Sequence, residues 1–267
     1  MTCDIHAHLH NEPDYADMLA ETAQDLGFNK LCISGGESRY GMASNDQALD
    51  AAEKYPGLFV PFAQMRFGRE QAVDVAEFKN RGFFGLRVSA PPEPVDSARF
   101  FPLYEAACAL EMPVLIHTGF LPVTGLDKSF DVRCHRHRPV YLDTIARQFP
   151  ALKIIGTSLG QPWYEEAAEV LRLHTNVCFD LSGSAIARKG VAFFRSLLGS
   201  DTNGVIGNYE EGTVWSQIVF GTGVHYGEIA SVERDYQRLF RSLALSDETV
   251  EDIMGGNAER LVGVLDS

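Results

Sequence analysis

Residues 99–119 read RFFPLYEAACALEMPVLIHTG, and the fold turns on how they divide. The first part, 99–111, is rich in helix formers with apolar side chains at helical spacing. Pro113 stops that pattern, and the apolar run Val114–Ile116 follows it directly before His117 and Gly119. A strand that is apolar throughout belongs in a parallel sheet covered on both faces. A helix feeding such a strand is half of a repeating strand–helix unit.

The same alternation runs outward in both directions. Upstream lie the strand candidates CDIHAHL (3–9), KLCISGG (30–36), LFVPFAQM (58–65) and FFGLRV (83–88), each followed by an amphipathic helical stretch. Downstream lie LKIIGTSLG (152–160), NVCFDLSG (176–183) and QIVFGTG (217–223), again each followed by a helix. Eight consecutive units in 267 residues predict one α/β domain over 1–267, a closed (β/α)8 TIM barrel. An open doubly wound sheet is the alternative. Two connections are long: 119–138, expected to cover substrate at the C-terminal face, and 201–214, expected at the periphery or in a contact between copies.

The formal charge of −13 argues against nucleic acid and anionic membranes as partners. There is no transmembrane run and no signal-peptide pattern, and the five cysteines are read as reduced core residues, so a cytoplasmic protein is expected. A homo-oligomer stays open.

Asp4, His6 and His8 alternate along the first strand, which on a regular strand puts all three on its inner face. Buried polar groups need partners or a ligand, and imidazole is a common metal ligand. His117 ends the fifth strand, across a barrel from the first. His6, His8 and His117 are therefore the expected ligands of one divalent metal, zinc foremost, with an open position for chemistry.

These residues, with FFGLRV, FPLYEAACALEMPVLIHTG, FPALKII, NVCFDLSG, QIVFGTG and the closing IMGGNAERLVG, resemble the amidohydrolase superfamily. The resemblance is to the branch that includes aminocarboxymuconate-semialdehyde decarboxylase and 2-pyrone-4,6-dicarboxylate lactonase. It implies a barrel with one divalent metal, a histidine ending strand six and an aspartate ending strand eight. Here Ser158 stands in place of that histidine and Gly223 in place of that aspartate. An anion beside the metal and two general-base candidates are thereby lost.

His225, two residues past Gly223, is the expected substitute, and Asp180 in FDLSG is a second candidate for proton transfer. Cys134, His135 and His137 in the long loop could reach in or stay solvated; His10 lies past the expected strand end, and His174 is expected in solvent. Arg87 at the end of strand four suits a substrate carboxylate, with an ion pair to a nearby acid as the alternative. Ser34, Gly35 and Gly36 either approach a ligand or form a plain turn. The expected activity is metal-dependent hydrolysis or non-oxidative decarboxylation of a small carboxylate. A metal-independent lactonase-like hydrolase and a barrel that only binds its ligand are the alternatives.

Overall fold

The computed structural model describes residues 1–121, 123, 131–183, 185–199 and 214–264. Eight strands, β1 (Cys3–His8), β2 (Lys30–Ser34), β3 (Phe59–Met65), β4 (Gly85–Val88), β5 (Val114–Ile116), β6 (Ile154–Gly156), β7 (Val177–Asp180) and β8 (Ile218–Val219), form one sheet in sequence order. Each neighbouring pair from β1–β2 to β7–β8 is parallel. The sheet meets itself where Ile5 N donates to Phe220 O at 3.0 Å and Gly223 N donates to His6 O at 2.8 Å. The fold is thus the (β/α)8 barrel that the alternation predicts.

Helices α1 (Tyr15–Asp25), α2 (Asn45–Lys54), α3 (Ala72–Asn80), α4 (Phe101–Ala109), α5 (Tyr141–Gln148) and α6 (Tyr164–Leu173) follow the first six strands. Two shorter helices, α7 (Ala185–Arg188) and α8 (Val191–Leu198), follow β7, and α9 (Ile229–Leu243) follows β8. Local signals explain the boundaries. Ser44 and Gln47 cap α2 reciprocally, through Gln47 N to Ser44 Oγ and Ser44 N to Gln47 Oε1. Pro102 sits in the first turn of α4, where its missing N–H costs nothing.

The chain then runs through α10 (Asp247–Glu251), a wide helical turn over Asp252–Gly256, and α11 (Asn257–Val262). The buried Asn257 amide donates to Trp215 O and Ile218 O, which fastens this segment to the start of β8. That is the physical role of the IMGGNAERLVG element.

Outward residues such as Ile33, Val88, Ile116, Phe179 and Phe220 pack against the helices in the main core. A second, smaller core fills the lower barrel: Cys3, Ile5, Cys32, Val60, Phe62, Leu115, Ile155, Cys178 and Val219, with Ala258, Val262 and Val264 closing the floor. All five cysteines are free thiols. No helix among the described residues is long and apolar enough to cross a membrane.

One expectation about β1 needs correction. Cys3 pairs with Lys30 and Asp4 with Leu31, but Ala7 pairs with Ile33 and His8 with Ser34, so one extra residue is inserted in β1. This β-bulge reverses the alternation. Asp4 shares register with the outward Leu31, while His6 and His8 aim inward. Asp4 instead accepts from Thr222 Oγ1, Thr222 N and His6 N, pinning β1 to the chain beyond β8.

Candidate active site

At the C-terminal mouth the inward positions turn polar. His6 is 4% exposed. Its Nδ1 lies 2.9 Å from Asp180 Oδ2, at the end of β7. Asp180 is fully buried, and its Oδ1 accepts Ser158 N at 2.6 Å and Ser182 N at 2.8 Å. Both carboxylate oxygens are occupied as acceptors, so Nδ1 of His6 donates.

The Nε2 of His6 faces His8. The two Nε2 atoms are 3.0 Å apart, with ring centroids 4.8 Å apart in an edge-on arrangement. Burial first, then the positive charge of Arg87 and the other histidines, holds His8 well below the ordinary histidine range. Two Nε2 atoms at this distance have a proton or a metal ion between them. Tetrahedral zinc with ordinary bond lengths would hold two such nitrogens roughly 3.3 Å apart. The pair therefore fits two positions of a metal site. Among the described residues, however, no group of three His, Cys, Asp or Glu side chains is arranged to hold an ion.

His117 follows β5 directly, its N–H donating to Val88 O. Its Nδ1 is 3.5 Å from Thr157 Oγ1, and its buried Nε2 has no hydrogen-bond partner among the described residues. Burial, then His137 and Arg87, push it well below the usual histidine value. The fourth imidazole comes from the long loop. Cys134–His137 forms a short helical turn, and His137 packs edge-on against His117 with centroids 5.3 Å apart. His137 and Arg136 are buried, whereas His135 is exposed; residues 122 and 124–130 of this loop lie outside the described residues.

Arg87 is 7% exposed at the end of β4. Its Nη1 donates to Gly35 O at 2.8 Å, and its Nη2 lies 3.4 Å from His8 Nε2. Its Nε is buried without a hydrogen-bond partner among the described residues. No carboxylate pairs with it there, and burial pushes its pKa down to about 10, opposed only by the charge of Glu37. The Gly35–Gly36 turn makes room for it: a Cβ on Gly36 would stand 2.9 Å from Nη1, and one on Gly35 would stand 2.2 Å from Ala43 O. The same face carries a cleft of about 530 Å³ with the buried Gln64 and Ser89 in its wall.

The other predicted residues fall as follows. Gly223 abuts the site, since a Cβ there would meet His6 Cε1 at 3.0 Å. His225 does not join the buried histidines. It stands at the rim with Nε2 3.4 Å from Glu12 Oε2, packed on Tyr15, Tyr226 and His10. His174 is not solvated as expected; its Nε2 lies 2.7 Å from Asp143 Oδ1 with the side chain 10% exposed. Residues 201–213 of the second long connection lie outside the described residues.

Sequence reasoning missed Thr157, Ser182 and the shape of the turn after β6. Ser158, Leu159 and Gly160 all have positive φ, of 56°, 45° and 66°. Left-handed geometry costs a residue with a Cβ about 1–2 kcal/mol. Leu159 is fully buried, and Gly160 N and Gln161 N donate to Thr157 O and Ser158 O. No pattern in the sequence signals such a turn.

A barrel with histidines from β1 and β5 at its C-terminal mouth is the architecture of amidohydrolases. The amidohydrolase family profile matches residues 3–264, and the chain belongs to that family. Three solved structures share the fold. An uncharacterised TIM-barrel protein from Bordetella bronchiseptica is 19% identical over 100% of this chain and 99% of that one, with a TM-score of 0.73. A probable 2-pyrone-4,6-dicarboxylic acid hydrolase from Acinetobacter baumannii, with citric acid bound, is 14% identical over 98% and 99%, with a TM-score of 0.64. The 5-carboxyvanillate decarboxylase of Novosphingobium aromaticivorans, complexed with manganese and a nitrobenzoic acid, is 15% identical over 91% and 79%, with a TM-score of 0.61. No curated protein matches the chain.

Proposed function

We propose that this protein is an enzyme that hydrolyses or non-oxidatively decarboxylates a small carboxylated substrate at the barrel mouth. One observation carries the reading: a buried guanidinium, unpaired by any carboxylate among the described residues, lies beside two imidazoles whose Nε2 atoms converge to 3.0 Å. A buried cation of this kind recruits an anion, and a carboxylate matches its fork. Solved relatives described as a dicarboxylic acid hydrolase and a carboxyvanillate decarboxylase support the substrate class.

Arg87 holds the carboxylate and sets which bond of the substrate faces His6 and His8. Asp180 fixes the tautomer of His6 and so acts as a positioning residue rather than a base. His6, His8 and His117 would hold one divalent ion, zinc foremost, and a bound ion would supply Lewis acidity. A second reading drops the ion. The Nη2 of Arg87, 3.4 Å from His8, already brings positive charge to that place. In that case His8 and Arg87 polarise the substrate directly, and His117 takes the proton on Nε2. His225, held on Glu12, stands outside either arrangement as a candidate for carrying protons to solvent.

Two measurements test this. Mono(para-nitrophenyl) glutarate, an activated ester bearing a carboxylate, should be hydrolysed in preference to neutral para-nitrophenyl acetate. Arg87→Met should remove that preference, weakening binding by roughly 2–5 kcal/mol. Equal rates for both esters in both proteins would refute the role of Arg87. Metal analysis separates the two readings. Zinc uptake towards one ion per chain, lost in the His6→Ala, His8→Ala double variant, supports the first; full turnover after exhaustive chelation supports the second.

A further inference from the structure

We infer that Ser158 donates a hydrogen bond to the substrate oxygen on which negative charge develops, through a chain of hydrogen bonds with one direction. The inference rests on the hydrolase reading above and names a residue that reading leaves idle.

The direction follows from counting protons. His6 Nδ1 carries a proton committed to Asp180 Oδ2. Ser182 Oγ lies 3.3 Å from the same nitrogen, so it can only accept there. Ser182 is 1% exposed, and its own proton must find an acceptor inside the protein. The oxygen in reach is Ser158 Oγ, at 2.9 Å. Ser182 therefore donates to Ser158, and the Ser158 proton is left over. Ser158 is half-buried at the C-terminal end of β6, two hydrogen bonds from His6. A donor polarised by the donor behind it is strengthened, and one held in place beforehand needs no reorganisation.

The backbone supports the same conclusion. Ser158 sits at φ 56°, a conformation that glycine adopts freely and serine does not. A non-glycine residue kept on this turn, with its N–H tied to Asp180 Oδ1, places its hydroxyl at one spot. The family resemblance leads one to expect a histidine here, a group able to accept a proton. This chain instead supplies a group that can only give a hydrogen bond to an anionic oxygen.

The test uses the full chain and mono(para-nitrophenyl) glutarate. Ser158→Gly relieves the backbone and removes the hydroxyl. It should raise or preserve the melting temperature while lowering kcat about 100-fold at unchanged KM, with the shape of the pH profile kept. Ser158→Asn, which tolerates positive φ and carries an amide donor, should recover about tenfold of that loss. Ser158→Asp, an acceptor only, should recover none. Greater recovery by Asp than by Asn would make position 158 a base and overturn the inference, as would a Ser158→Gly variant with wild-type kcat. A second arm needs no substrate. The imidazole nitrogen spectrum of His6 should show the proton on Nδ1; a proton on Nε2 reverses the chain and sinks the proposal. If Arg87→Met leaves ester preference unchanged while the position-158 series behaves as stated, the carboxylate reading fails and the role of Ser158 stands.

Discussion

The two ends of the barrel interior are built from the same strands and have opposite chemistry. The lower layer takes Cys32, Phe62, Leu115, Ile155 and Cys178. Two residues further along those strands come Ser34, Gln64, His117, Thr157 and Asp180. A step of two keeps a side chain on the same face and moves it one layer up. The interior thus passes from a dry, close-packed floor to a hydrogen-bonded mouth within one layer. Stability and chemistry are assigned to adjacent layers of a single sheet, which is how a barrel can change its site without losing its core.

The sharpest way to break this division is through Asp180, which belongs to the mouth yet is fully buried. Asp180→Ala leaves His6 Nδ1, Ser158 N and Ser182 N without their acceptor. It should cost about 3–5 kcal/mol of stability in urea unfolding, far more than a mouth residue would if the layers were independent. A loss under about 1 kcal/mol would mean that water replaces the carboxylate.

Leu115→Ala tests the floor. It should cost about 2–5 kcal/mol by the loss of buried methyl groups and the cavity left behind. KM for the charged ester should stay at the wild-type value, because Leu115 packs only in the lower layer. A raised KM would show that strain crosses from floor to mouth.

The remaining effect is spread over a pH range. Burial holds His8 and His117 below the ordinary value of 6.5. The unfolded chain therefore binds protons that the native state refuses. Their contribution to stability is whole above about pH 6.5 and is lost as the pH falls below it, by about 1.4 kcal/mol per pH unit for each histidine. Unfolding of chelated protein between pH 7 and pH 5 measures this slope. His117→Asn should reduce it by about half.

How far the sequence could be read depended on how regular each strand is. His117 was found because β5 is short and regular, and the step from Leu115 to His117 keeps one face. On β1 the rule of two picked the right histidines but assigned Asp4 to the wrong face, since nothing in CDIHAH marks the inserted residue. Asp180 was visible as a polar end to an apolar strand. That its oxygens are filled depends on backbone N–H groups 22 positions away and 2 positions on, which composition does not encode. His225 was expected to continue beyond Gly223 on an extended strand. Gly223 instead turns at φ 62°, and the imidazole swings to the rim. His137 lies in a loop whose short helical turn has no periodic signature.

The inserted residue in β1 also sets a rule for lineage change in this barrel. A codon deletion between Asp4 and Ala7 would leave the apolar count of the strand almost intact and bring its pairing with β2 into a single phase. His8 would keep its place opposite Ser34 and stay on the inner face. The extra residue lets two consecutive side chains, Ile5 for the floor and His6 for the mouth, both face inward. A deletion here would therefore cost the floor its Ile5 or the mouth its His6 and leave the faces of the rest of β1 unchanged.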